Sequence, residues 1–357
     1  MFDKKKQILH IFNDPKFSVG YVEFLSESGI SPECHEFFHY RTTANSYPSN
    51  IFSFTHSKSF FSLIPNIKLL ILLFKSEKVI VHCLAAPFLL VYLSVFPTLS
   101  KKVYWVIWGK DLYFYKVLKK KRFYHKAYEL LRRCAIAGVP NVITDNLGDY
   151  ELLKKWYGVN PRLFRSFSYP SNLHQEQSNA EEVPARSDSM ARILVGNSAD
   201  PSNEHLEVFK LLEKFKEEDI QIIVPLSYGD KAYAKEIARV GKDIFGNKLI
   251  SLMELIPLDE YRRLQHGLDI AIFAHKRQQA MGNIISLLGM GKKVYLRSDI
   301  STWRSLKSYD LNIEDMYHIE LTKISAVDKE ANMKIVKSVY SKENLLKQWQ
   351  AIFAAET

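Results

Sequence analysis

The stretch Ile193-Leu194-Val195-Gly196-Asn197-Ser198-Ala199-Asp200-Pro201-Ser202-Asn203-Glu204-His205-Leu206 decides the fold. It opens as a short apolar run, the pattern of a buried strand, and breaks into small and polar residues. It closes on Asn203-Glu204-His205 ahead of a periodic apolar segment. Strand, small-residue turn and helix start form a crevice at the carboxyl end of a sheet, where open α/β folds bind ligands. Gly196 lets backbone approach a ligand closely. Ser202 or Asn203 is expected to cap the helix, whose bare N–H groups suit a phosphate. On spacing alone, an ordinary capped loop accounts for this stretch equally well.

Outward from it the same alternation repeats. C-terminally, the pattern predicts strands over 220–224, 249–251, 268–273 and 293–296, with helices over 204–216, 230–242, 258–266 and 281–290. N-terminally, strands are expected over 8–12, 78–82, 102–108 and 139–144, and helices over 67–74, 84–96 and 147–157. Short apolar strands alternating with helices imply parallel sheets covered on both faces. Residues 171–191, rich in Ser, Asn, Glu and Gln, read as a linker. The domains expected are 1–175 and 190–340, and a last helix, 341–357, could pack on either. This is an α/β protein with two Rossmann-like, doubly wound domains facing across a cleft.

Composition fits a folded chain: hydrophobic residues are 47% and charged residues 25% of the sequence, which excludes a disordered polymer. Cys34, Cys83 and Cys134 have no metal spacing and read as idle thiols in a reducing compartment. No signal peptide and no spanning helix is expected, since the most apolar segment, 84–96, is short and carries Pro87. The net charge of +10 is concentrated: eleven Lys and Arg lie between Lys101 and Arg133 against Asp111 and Glu129. Such a patch calls for an anionic partner, an anionic membrane surface ahead of nucleic acid, because no zinc or RNA-recognition spacing accompanies it. No nucleic acid is expected.

Polar residues follow several strand ends: His82; Gly109 and Asp111; Pro225, Ser227, Tyr228 and Gly229; and His275, Arg277, Gln278 and Gln279 before Gly282 and Asn283. Each is weak alone. Together they describe a ligand site at the carboxyl ends of two sheets, and Arg277 beside a helix start favours a diphosphate.

Three segments carry a resemblance. Residues 193–198 with 202–205, Trp105-Val106-Ile107-Trp108-Gly109-Lys110-Asp111-Leu112-Tyr113, and Arg277-Gln278-Gln279 resemble the bacterial TDP-N-acetylfucosamine:lipid II N-acetylfucosaminyltransferases, glycosyltransferase family 56. The resemblance implies a GT-B fold. It implies transfer of an amino-deoxy sugar from a dTDP donor to a lipid-diphosphate-linked saccharide, at the inner face of the cytoplasmic membrane. It puts the nucleotide in the C-terminal domain, with Gly196, Asn197, Ser198, Asn203, His205, Pro225, Tyr228, Gly229, His275, Arg277, Gln278, Gln279, Gly282 and Asn283 around it. The acceptor belongs to the N-terminal domain.

Many GT-B enzymes carry a Glu on the helix matching 282–290, for the ribose hydroxyls. Here that helix has no acid, which suits a deoxyribose donor. No Asp-x-Asp motif sits where a diphosphate needs a metal, so no metal and no cofactor are expected; helix N-termini and Arg277 would offset the leaving-group charge. An inverting attack needs a base, and the candidates are Asp111 first, then His82 and Glu204. The competing readings are a non-catalytic sugar- or nucleotide-binding protein and a sugar-nucleotide epimerase.

Overall fold

The computed structural model describes residues 7–13, 15–40, 52–114, 123–174 and 190–356. The chain divides into two compact units, Met1–Ser171 with Lys342–Thr357, and Asn172–Ser341. Most of the expected linker, 175–189, lies outside the described residues.

In the first unit the strands are β1 (Ile8–Phe12), β2 (His35–Tyr40), β3 (Ser53–Ser57), β4 (Lys78–His82), β5 (Val103–Val106), β6 (Asn141–Ile143) and β7 (Arg162–Phe164). They form one parallel sheet in the order β3-β2-β1-β4-β5-β6-β7. The second unit holds β8 (Ala191–Val195), β9 (Ile220–Pro225), β10 (Leu249–Leu252), β11 (Ile270–Phe273), β12 (Lys293–Leu296) and β13 (Glu314–Asp315). Their order is β10-β9-β8-β11-β12-β13, again parallel. In both sheets the chain adds two strands to one side of the first strand and then crosses to its other side, so each has a switch point, at β1/β4 and at β8/β11. Helices cover both faces, and β1, β4, β5, β11 and β12 are buried along their whole length.

The sequence pattern overlooks β2 and β3. His35-Glu36-Phe37-Phe38-His39-Tyr40 mixes polar and aromatic side chains, yet all but Glu36 are buried. The expected helix over 84–96 starts at Pro87 instead. Cys83 before it adopts a left-handed backbone, φ 75°, and Pro87 presets the first helical φ.

The final helix, Lys342–Ala354, packs on the first unit. Leu345, Trp349 and Ile352, spaced for one helical face, are buried. The Trp349 indole donates to the Ser168 carbonyl at 2.9 Å. Lys78, at the start of β4, donates to the carbonyls of Ile352, Phe353 and Ala355 at 2.6–2.8 Å. An ammonium there satisfies the orphan carbonyls of the helix end and complements its dipole.

Candidate active site

At the β8/β11 switch point the loop after β8 turns sharply at Gly196, φ 69°. The Gly196 N–H donates back to Ile272 of β11 at 3.0 Å. A side chain at 196 would not fit: a Cβ would lie 2.6 Å from His205 Nε2 and 2.8 Å from Asn203 Oδ1.

Asn203 organises the loop. Its Oδ1 accepts from the Asn197 N–H at 2.9 Å and from His275 Nε2 at 2.9 Å. Its amide nitrogen donates to Ser198 Oγ at 3.1 Å and to the Asp200 carbonyl at 3.0 Å. His275 Nε2 also lies 3.0 Å from Asn197 Oδ1. Facing two oxygens, Nε2 carries the proton and Nδ1 the lone pair. The expected helix cap is corrected here. Pro201–Asn203 is a 3-10 turn capped by Asp200, and the α-helix begins at His205 behind a left-handed Glu204, φ 53°. Ser202 and Asn203 therefore face the loop rather than the helix end.

The neighbouring loops are tied in. Tyr228 Oη accepts from Asn197 Nδ2 at 2.9 Å. Gly229, φ 119°, lies against Ala199 so closely that a Cβ would sit 2.6 Å from its carbonyl carbon. Pro225, the last residue of β9, is buried. Ser202 Oγ bonds Gln279 Oε1 at 2.8 Å, and Lys276 pairs with Glu204 at 2.9 Å.

Arg277 bonds the Gln278 carbonyl at 3.2 Å, while Gln278 Oε1 is buried without a hydrogen bond. Burial pushes the Asp200 carboxyl up, but hydrogen bonds from Ser202 and the charge of Arg277 outweigh it and hold it below the usual range. Ala280, φ 57°, precedes the helix Met281–Gly289, whose first turn carries Gly282 and Asn283. Asn283 hydrogen-bonds Tyr261, whose phenol burial raises. A cavity of about 370 Å3 adjoins, lined by Leu226, Tyr228, Gly229, Asp230, Ala234 and Met253 among others.

The fourteen binding residues inferred for this unit thus lie on the loops and helix starts at the carboxyl ends of β8, β9 and β11. Sequence reading passed over Asp200 and Tyr261. Asp200 lay inside the quoted stretch, with an Asp-x-Ser turn as its signal; Tyr261 had none.

In the first unit, Asn13 after β1 donates to the Cys83 carbonyl after β4, joining the two sides of that switch point. Asp111 is buried and takes four N–H donors. Oδ1 accepts from Trp108 at 3.0 Å and Leu112 at 3.1 Å; Oδ2 accepts from Leu84 at 2.9 Å and the Trp105 indole at 2.7 Å. Arg132, also buried, donates to the Leu84 and Asp111 carbonyls. Asp111 therefore clamps the turn after β5 to the turn after β4.

His82 is fully buried and stacks on Phe12 with ring centroids 3.7 Å apart. A hydrogen-bonded chain runs through it. The Trp108 indole can only donate, and does so to Tyr169 Oη at 2.7 Å. Tyr169 Oη in turn lies 2.5 Å from His82 Nδ1, His82 Nε2 lies 3.4 Å from His10 Nδ1, and His10 Nε2 lies 2.9 Å from His35 Nδ1. Neither His10 nor Tyr169 had a sequence signal.

These imidazoles are held neutral. Burial, the largest cause throughout, lowers His10 and His82 well below 6.5, His35 and His205 to about 4, and His39 and His275 to about 3. The unfolded chain therefore takes up protons first. Stability is complete above the unfolded value near 6.5 and is lost as pH falls from there toward the folded values, by about 1.4 kcal/mol per pH unit for each histidine. Urea midpoints measured at about pH 7 and about pH 5 should fall steeply; a flat profile would contradict the neutral network.

Two parallel sheets of Rossmann order, one in each unit, are the architecture of the GT-B fold. Solved structures share the fold. A glycosyltransferase from Rickettsia africae ESF-5 matches with TM-score 0.65 and 14% identity over 98% of each chain. The structure described as trehalose-6-phosphate from E. coli bound with UDP-2-fluoro glucose matches at 0.62 and 10%, over 98% of each. The Candida albicans trehalose-6-phosphate phosphatase N-terminal domain matches at 0.64 and 10%, over 98% of this chain and 97% of that one. The chain belongs to the family described as 4-alpha-L-fucosyltransferase glycosyl transferase group 56, which matches residues 62–357. It is a glycosyltransferase enzyme.

Proposed function

We propose that this enzyme moves an amino-deoxy sugar, of the 4-acetamido-4,6-dideoxyhexose type, from a dTDP donor to a polyprenyl-diphosphate-linked saccharide during bacterial surface polysaccharide synthesis. The observation that carries this reading is the joined turn at the β8/β11 switch point. There Gly196 opens the backbone, Asn203 locks it to neutral His275, and Arg277 lies close enough to act on Asp200. Fixed N–H dipoles and one guanidinium suit a diphosphate without a metal ion. The cavity beside Tyr228 suits the base and deoxyribose, and the helix Met281–Gly289 brings no acid to a ribose.

Of the candidate bases, Asp111 and His82 have their polar atoms engaged inside the fold, and we assign them positioning roles. Glu204 is the accessible carboxylate among the three, with 31% of its side chain exposed. We propose it as the base, with Lys276 as its neighbour. The acceptor belongs to the first unit, at the inner face of the cytoplasmic membrane, where the basic region 101–133 would meet anionic headgroups. Of that region, Lys116, Lys119, Lys120, Lys121 and Arg122 lie outside the described residues. Among the described residues no helix is long and apolar enough to cross a membrane.

A panel of nucleotide diphosphates tests the donor. dTDP should raise the melting temperature most, because a ligand stabilises by mass action; an equal or larger rise with UDP would overturn the deoxyribose assignment. Transfer should survive excess EDTA, and complete loss would end the metal-free claim. Chemistry on the donor with no acceptor present would point to an epimerase.

A further inference from the structure

The helix Leu63–Lys75 is apolar on both sides. Asn66, Leu69, Leu72 and Leu73 are buried in the first unit. The opposite stripe, stepped by three and four residues, carries Ile64, Ile67, Ile71 and Phe74, exposed by 81, 50, 48 and 53%. A surface helix ordinarily turns charged and polar residues outward on that stripe.

The patch extends beyond one helix. Phe74 meets Phe96 edge to face, centroids 5.5 Å apart. The adjacent helix Pro87–Val95, tied to the first by the Tyr92 hydroxyl on the Asn66 carbonyl at 3.1 Å, exposes Val91 and Val95 one turn apart. Beyond it the helix Phe123–Ala137, reached by Ser94 on the Leu131 carbonyl, opens on exposed Phe123 and Tyr124. Exposed apolar side chains gathered on neighbouring helices in this way mark an interaction site.

We infer that this face docks on an anionic lipid bilayer, with Ile64, Ile67, Ile71 and Phe74 entering the headgroup–acyl boundary. Charge selects the occupant. Lys68 and Lys75 flank the stripe on its own helix, and Lys101 and Lys126 are exposed on the neighbouring segments of a chain with net charge +10. A helix with an exposed apolar stripe rimmed by lysines, and aromatic residues alongside, suits the plane of an anionic interface. Thirteen residues give a helix about 20 Å long, too short to span. The inference rests on the peripheral-membrane part of the function proposed above, and it places the contact on the 63–75 helix as well as on the basic region.

Vesicle sedimentation tests it. The full chain should pellet with phosphatidylglycerol-containing vesicles and far less with phosphatidylcholine alone. Ile67→Glu with Ile71→Glu, both at exposed positions, should weaken binding about 100-fold. Lys68→Glu with Lys75→Glu should remove only the preference for phosphatidylglycerol. Unchanged pelleting of the isoleucine variant, or no binding by the parent chain, overturns the inference. So does self-association in the absence of lipid that the isoleucine variant abolishes, which would make a second copy the occupant. The dTDP-induced melting shift, measured on the same proteins, reports the second unit. Its retention when docking fails separates this inference from the donor reading.

Discussion

Gly196→Ala is expected to abolish the dTDP-induced rise in melting temperature and to lower kcat/KM for transfer at least about 100-fold. Two costs combine at this position. Its φ of 69° is left-handed, which costs an L-residue about 1–2 kcal/mol. The new Cβ would also lie 2.6 Å from His205 Nε2 and 2.8 Å from Asn203 Oδ1, distances at which something must move. His205 is buried, held at Nδ1 by Tyr233 at 3.3 Å. Asn203 can yield only by breaking bonds to Asn197, His275, Ser198 and Asp200. The distortion therefore falls on the loop proposed to hold the diphosphate. Circular dichroism should still report a folded chain. A variant that binds dTDP like the parent would remove this loop from the donor site.

The second large effect is on stability. Asp111→Asn should destabilise the first unit by about 3 kcal/mol or more, despite nearly identical shape. A carboxylate offers acceptor sites on both oxygens, and here each oxygen takes two N–H donors. An amide keeps one oxygen and turns an NH2 toward two buried donors, which lose their partners. Arg132, buried beside the turn, also loses a nearby negative charge. Urea unfolding followed by tryptophan fluorescence reads this directly, because Trp105, Trp108, Trp156 and Trp349 all lie in the first unit. An unchanged midpoint would show that Asp111 is not the clamp. Glu204→Gln, by contrast, should leave stability near the parent value and remove transfer.

Much of this protein is legible in order along the chain. The turn at Gly196 requires a residue with no Cβ, the apolar runs at 78–82, 193–195 and 270–273 require burial, and the spacing of Leu345, Trp349 and Ile352 requires a helix with one packed face. Those are local demands, set by backbone sterics and by periodicity, and they name the loops at strand ends where the donor site is proposed. Polar–aromatic strands such as β2 escape the same reading, because burial there is imposed by neighbours on both sides of the sheet. Only the tertiary structure decided which loops meet. Pairing β11 beside β8 carries His275 onto Asn203, seventy-two positions away along the chain. The same kind of pairing makes Asp111 a clamp between two turns, by bringing the Leu84 N–H and the Trp105 indole to one oxygen. A sequence states what each side chain can donate, accept or bury; strand order determines which partner is within 3 Å, and that choice set the hydrogen bonds at these loops.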